Sequence, residues 1–234
     1  MTMDPMEQML TQGYSVWPKR IDEKIIYDLA YYKESYDHPN RGHDRDGRYY
    51  GEYQESVEWA NYWTDSLNDN PRIADVREVT DRLVARFLVE PVFYHADVSV
   101  LTPLNSMIRP HVDTPYRHAP WNKKITHSLG VQLAIPMQSY AENAGTTAFL
   151  PGSHKKAWDI KKCYRGEYTD VFLSECVQPK IEFGDILLWD ARTLHSQMPN
   201  VTEHNRYMLL LNYLERRVVE DVMQYEAAQQ GVHT

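Results

Sequence analysis

Along the chain, the spacing of apolar residues changes character from zone to zone. A short run, Gly13-Tyr14-Ser15-Val16-Trp17-Pro18, reads as a strand fragment. Ile25, Ile26, Leu29, Ala30 and Tyr32 then recur at helical spacing and predict an amphipathic helix over 21–34. The polar stretch 37–48, punctuated by Pro39, Gly42 and Gly47, predicts a loop. A second helix is expected over 71–88, where Ile73, Val76, Val79, Leu83, Val84 and Phe87 form one stripe and Pro71 suits the first turn. From position 92 the pattern shifts to short β-rich runs bounded by turn residues. Candidate strands are 92–101, 106–113, 128–136, 146–150, 176–183, 185–189 and 206–214. A closing helix over 218–230 should stop at Gly231. This order predicts a mainly β protein with flanking helices, a sandwich or jelly roll rather than a parallel α/β sheet. The expected organisation is a single domain: a helical buttress over 1–91, a β core over 92–214, and a helix with a tail over 215–234.

Composition narrows the class. A chain of 234 residues and 27.5 kDa suits one domain with a substantial core. With 42% hydrophobic and 25% charged residues it has the balance of an ordinary globular protein. Apolar runs such as 207–211 fall far short of the ~20 residues a membrane helix needs. Residues 1–12 include Asp4 and Glu7 and no basic segment, so no secretory signal is expected and the setting is predicted to be cytoplasmic. Cys163 and Cys176 are too few for a disulfide framework and lack zinc-site spacing, which predicts reduced structural thiols. The net charge of −8 gives no electrostatic footprint for nucleic acid or anionic membranes. A small-molecule partner is the remaining expectation, and the sequence leaves oligomeric state open.

The candidate chemistry starts from the histidines. Two His-x-Asp triplets occur, His95-Ala96-Asp97 and His111-Val112-Asp113, both in predicted strands, where residues i and i+2 face the same way and can grip one ion together. A triplet alone is weak, because a polar pair on a solvated strand face gives the same letters. The second triplet has a more specific setting. It follows Arg109-Pro110 and runs into Thr114-Pro115-Tyr116, at a strand end beside a loop. Downstream come Asn143-Ala144-Gly145-Thr146-Thr147-Ala148-Phe149-Leu150-Pro151-Gly152-Ser153-His154, then Gly184-Asp185-Ile186-Leu187-Leu188-Trp189-Asp190-Ala191-Arg192-Thr193-Leu194-His195, and Arg206 at the start of an apolar run. Pro151-Gly152-Ser153-His154 reads as a turn, not a catalytic dyad, since adjacent residues rarely aim side chains at each other.

In that order, these segments resemble the phytanoyl-CoA dioxygenase-like branch of the iron(II)/2-oxoglutarate-dependent oxygenases, over roughly 94–214. The resemblance implies a double-stranded β-helix, or jelly-roll, core of the cupin-like kind. It also implies oxidation, chiefly hydroxylation, of a small molecule with iron(II), 2-oxoglutarate and O2, giving succinate and CO2. It places iron on His111, Asp113 and His195, Arg206 on the distal carboxylate of 2-oxoglutarate, and Thr147 as a further cosubstrate contact; Gln197, at a position that also meets the cosubstrate in relatives, has an amide that can donate to a carboxylate. Relatives commonly carry Ser or Thr where this chain has Gln197. Because the carboxylate Asp113 is present, the resemblance favours hydroxylation or a related oxidation over halogenation. The residues themselves agree: two imidazoles and one carboxylate on a face of octahedral iron(II) leave three adjacent positions open. A buried guanidinium suits a carboxylate because its planar fork binds in two places and stays charged.

His95 and Asp97 either line the cavity, as substrate contacts, or pair on the outer face. The loop from Thr114 to His127, with Tyr116 and Trp121, is the candidate lid and substrate-contacting segment. A non-catalytic jelly roll that binds or senses a ligand is the alternative reading. A cupin-type metal enzyme that does not use 2-oxoglutarate is disfavoured, because paired His-x-His followed by Glu is missing and Arg206 would lack a purpose.

Overall fold

The computed structural model describes residues 3–30, 62–68, 70–101, 103, 107–117, 127–139 and 143–231. Of the strand over 62–66 only the backbone is described. Helix α1 (Pro5–Gln12) starts where the Asp4 carboxylate accepts from the Met6 N–H at 2.9 Å, and it ends at Gly13 in the left-handed conformation. Strand β1 (Tyr14–Trp17) and helix α2 (Glu23–Ala30) follow, then β2 (Tyr62–Ser66) and α3 (Arg72–Val84). The β core consists of β3 (Pro91–Leu101), β4 (Gly130–Pro136), β5 (Thr147–Phe149), β6 (Ile186–Asp190), β7 (His195–Gln197) and β8 (Arg206–Glu215). Two short helices, α4 (Ile160–Tyr164) and α5 (Thr169–Glu175), sit between β5 and β6, and α6 (Arg216–Gly231) closes the described chain.

Six strands form one antiparallel sheet in the order β1-β6-β4-β8-β3-β2, and β5 pairs with β7 in a smaller one. Isolated bridges from His111 to His195 and from Phe149 to Val177 widen the smaller sheet on both sides. The two sheets make a jelly roll with flanking helices, and among the described residues they do not close into a barrel.

Alternation along the strands decides which residues reach the site. On the outer face of the large sheet, Ala96, Val98, Val100, Val131, Leu133, Leu188, Leu209, Leu211 and Tyr213 pack with Ile26, Leu29, Val76 and Val84 of the helices. The residues between them, including Asp97, Ser99, Gln132, Trp189, Arg206, Leu210 and Asn212, therefore turn inward. In β3 the register shifts between Phe93 and His95, so that Tyr94 is an extra residue and the strand bulges next to the site.

Several expectations need correction. The strand fragment expected over 13–18 forms one edge of the large sheet, but Tyr62–Ser66, which was not expected, forms the other, so the segment before position 91 is not a purely helical buttress. Helix α1 was not anticipated, although Asp4-Pro5 at its start and Gly13 at its end carry the signal. The expected strand over 106–113 is, among the described residues, irregular except for a bridge at His111. The expected strand over 176–183 reduces to one bridge at Val177. Predicted helical residues beyond Ala30 and the loop over 37–48 lie outside the described residues.

Candidate metal centre

The turn joining β6 to β7 sets up His195. The Asp190 carboxylate accepts from Arg192 Nε at 3.0 Å and Nη2 at 2.7 Å, and the Thr193 hydroxyl donates to the Gly13 carbonyl at 2.8 Å. Gly13 has φ +85°, and a Cβ there would lie 2.5 Å from His154 Nδ1 and 2.6 Å from Thr193 Oγ1. The N-terminal turn thus braces the chain just before His195. Opposite, backbone bonds in both directions tie His111 to His195, at 2.9 and 3.0 Å, and the Asp113 N–H donates to the Ala191 carbonyl at 2.9 Å. These bonds, more than a regular ladder, fix the two ends of the site against each other.

The side chains converge. His195 Nε2 lies 3.1 Å from Asp113 Oδ2, and His111 Nε2 lies 3.8 Å from Asp113 Oδ1. Each imidazole has its Nδ1 2.9 Å from a carbonyl, that of Arg109 for His111 and that of Thr193 for His195. A carbonyl can only accept, so each Nδ1 carries a proton, and in the neutral ring Nε2 is then the nitrogen with a lone pair to offer. Two lone pairs and a carboxylate pointed at one spot repel one another unless a cation sits among them. Among the described residues, this is the trio of metal-ligating side chains whose donor atoms all lie within 4.8 Å of one another. Burial, aided by the neighbouring His195, pushes the His111 imidazole down to about 4, so it is neutral and able to ligate near neutral pH. Trp189 Nε1–H donates to Asp113 Oδ2 at 2.9 Å and holds that carboxylate in place. The rings of Phe149 and Trp189 pack on His195 with centroids 5.9 and 5.4 Å away.

A second cluster lies two residues along β7. Arg206 is buried, with Nη1 donating to the Gly145 carbonyl and Nη2 donating to Gln197 Oε1 at 2.6 Å. Thr147 stands directly opposite Gln197 in the β5–β7 register. Gln197 Nε2 is buried and has no hydrogen-bond partner among the described residues. A guanidinium and an orphaned amide donor stand side by side here, a pair of N–H donors of the kind that binds a carboxylate.

The predicted residues therefore fall into groups. His111, Asp113 and His195 meet, as do Arg206, Gln197 and Thr147. His95 and Asp97 lie on the inner face, with Nε2 of the imidazole 3.2 Å from Asp97 Oδ2, so the outer-face reading does not hold. Tyr116 is buried, and its hydroxyl accepts from the Leu129 N–H at 2.7 Å. Trp121 and the rest of the lid candidate, 118–126, lie outside the described residues. Sequence reasoning missed Trp189, whose indole holds Asp113, and the polar inner-face residue Asn212. Asn212 has a legible signal, being a polar residue in an apolar strand at the same parity as Arg206.

A jelly roll with an inward-facing His, Asp, His trio and a buried arginine defines the class of non-haem metal oxygenase folds. The family profile described as "Phytanoyl-CoA dioxygenase (PhyH)" matches residues 30–208, and the chain belongs to that family of 2-oxoglutarate-dependent oxygenases. It is accordingly an oxidoreductase. No curated protein matches it by sequence. By fold it is similar to the non-heme α-ketoglutarate-dependent carbocyclase SnoK from nogalamycin biosynthesis, with 15% identity and a TM-score of 0.65 over 92% of this chain and 84% of that one. It is similar to HygX from Streptomyces hygroscopicus with nickel, 2-oxoglutarate and hygromycin B bound, with 14% identity and a TM-score of 0.63 over 92% and 88%. It is also similar to EvdO2 from Micromonospora carbonacea var. aurantiaca complexed with 2-oxoglutarate, with 16% identity and a TM-score of 0.64 over 92% of both. No helix among the described residues is long and apolar enough to cross a membrane.

Proposed function

We propose that this protein is an iron(II)- and 2-oxoglutarate-dependent dioxygenase that hydroxylates or otherwise oxidises a small molecule, with succinate and CO2 as co-products. His111, Asp113 and His195 are the residues that would hold the iron. Arg206, Gln197 and Thr147 would hold the distal carboxylate of 2-oxoglutarate. The observation that carries this reading is the convergence of three ligand atoms within 4.8 Å, with both histidine tautomers set by backbone carbonyls. The orphaned Gln197 donor beside Arg206 supports the cosubstrate's place.

Bound iron(II) supplies the centre at which dioxygen is activated at the expense of the keto acid. The chain's own residues do the rest. Trp189 keeps Asp113 aimed, while the carbonyls of Arg109 and Thr193 keep each histidine's lone pair inward. Phe149 and Trp189 shield His195 from water. Membership of a dioxygenase family, together with a complete trio, argues for an enzyme over the ligand-sensing alternative.

The test is anaerobic addition of iron(II) and 2-oxoglutarate, read by the visible charge-transfer band of an iron–keto-acid chelate, followed by succinate formation on admitting oxygen. Band and succinate are expected from the wild type, and both should be lost in His195→Ala. Their absence from the wild type, or their survival in the variant, contradicts the proposal.

A further inference from the structure

The inner face of the large sheet carries a polar patch that neither the metal trio nor the Arg206 cluster uses. Cross-strand register sets Tyr14, Trp189, Gln132, Asn212 and His95 in one row over five strands. Gln132 is thus the neighbour of the indole that donates to Asp113, and Asn212 is the next residue beyond it. With strands ~4.8 Å apart, Asn212 stands on the order of 10 Å from Trp189 along this row. The adjacent row contains Asp97, Leu210 and Ala134.

Exposure shows where this face opens. On the inward positions of β3, β4 and β8, the residues Ser99, Leu101, Gly130, Ala134, Pro136, Arg206, Met208 and Leu214 are buried. His95, Asp97, Gln132 and Leu210 are partly exposed, and these four surround Asn212. Asn212 itself is only 3% exposed, yet its Oδ1 has no hydrogen-bond partner among the described residues. A buried acceptor left unsatisfied beside an opening into the site asks for a partner from outside the chain. Asp97, paired through one oxygen with His95, adds a carboxylate, which can only accept while it is ionised.

We propose that this patch is the substrate-recognising wall of the enzyme, and that it selects a molecule rich in hydrogen-bond donors, a polyhydroxylated or amino-substituted ring, over the acyl chain named in the family's description. The proposal rests on the metal and cosubstrate reading above, which locates the reacting centre beside Trp189. Hydroxyl and ammonium groups satisfy the Asn212 oxygen, the Asp97 carboxylate and the Gln132 amide. An acyl chain laid on the same wall buries these groups unpaired, and a site built to pair polar groups rejects an analogue that lacks them.

The experiment uses the full chain loaded with nickel(II) and 2-oxoglutarate, which binds without turning over, and calorimetric titration with glucosamine, kanamycin A and octanoyl-CoA. At least one of the two donor-rich probes is expected to bind, and octanoyl-CoA is not. In Asn212→Leu and in Asp97→Asn, that binding should weaken by about tenfold or more. Asp97 is partly exposed, so its variant tests the wall even if the buried substitution harms folding, and the melting temperature of each variant reports on that. Binding of octanoyl-CoA without the donor-rich probes, binding of no probe by the wild type, or unchanged affinity in a folded Asp97→Asn overturns the proposal. Titration of 2-oxoglutarate into the nickel-loaded protein separates the two layers. No cosubstrate binding in the wild type defeats the underlying reading and this inference with it, whereas intact cosubstrate binding without probe discrimination defeats this inference alone.

Discussion

Trp189→Phe isolates one interaction at the candidate metal centre. The substitution removes the indole N–H that donates to Asp113 Oδ2 at 2.9 Å but keeps an aromatic ring beside Phe149 and His195, whose centroids lie 5.6 and 5.4 Å from that of Trp189. A hydrogen bond to a charged group contributes about 1.5–3 kcal/mol, and losing it leaves a buried carboxylate oxygen short of a donor. If that bond orients Asp113 for the metal, metal affinity should fall roughly 10–100-fold, the usual effect of removing the partner behind a ligating carboxylate. The assay is anaerobic titration with iron(II) or nickel(II) against a competing chelator. At saturating metal, 2-oxoglutarate binding should return close to the wild-type value, because Arg206 and Gln197 are untouched. Phe149→Leu serves as the packing control, since it disturbs the cover on His195 without touching Asp113, and it should change metal affinity less. Metal affinity within about twofold of wild type for Trp189→Phe would refute the orienting role assigned to this bond.

Other perturbations address the cosubstrate cluster and the brace. Gln197→Glu sets a carboxylate against Arg206 at the present 2.6 Å contact, so it should keep or raise the melting temperature while weakening 2-oxoglutarate roughly a hundredfold by occupying the same cation. Calorimetry on the nickel-loaded protein checks this, and unchanged affinity would remove Gln197 from the cosubstrate site. Gly13→Ala forces a side chain into a left-handed position with φ +85°, 2.5 Å from His154 and 2.6 Å from Thr193, and should cost about 2–5 kcal/mol. A drop of roughly 5–15 °C in melting temperature is expected by scanning calorimetry, and an unchanged value would mean that the N-terminal turn does not brace His195.

How far the sequence alone reaches depends on whether a contact is local or distant. The β-rich runs bounded by turn residues made β3, β4, β6 and β8 legible almost to the residue, because each is a short, mostly apolar segment buried in the sheet. Arg206 was readable as a charged residue at the head of an apolar strand, and the His111-x-Asp113 spacing was readable as a same-face pair. The segment carrying that pair is not a regular strand, since its backbone bonds go to His195 and Ala191, far along the chain, and no local propensity encodes them. The edge strand Tyr62–Ser66 was missed because it depends on β3 for pairing. The contact of the Tyr116 hydroxyl with the Leu129 N–H is not legible in the sequence either, because the two residues lie 13 positions apart. The β3 bulge at Tyr94, which shifts the register ahead of His95, likewise becomes visible only once β8 lies alongside.

One metal ion is expected to bind where His111, Asp113 and His195 meet. Anomalous diffraction at the nickel edge, from crystals of the full chain grown with nickel(II) and 2-oxoglutarate, tests it directly. The expected result is a single strong peak at coordination distance, about 2.0–2.2 Å, from both Nε2 atoms and an Asp113 oxygen, with the keto acid extending to Arg206. A peak held by other residues, or none between these three, would contradict the account.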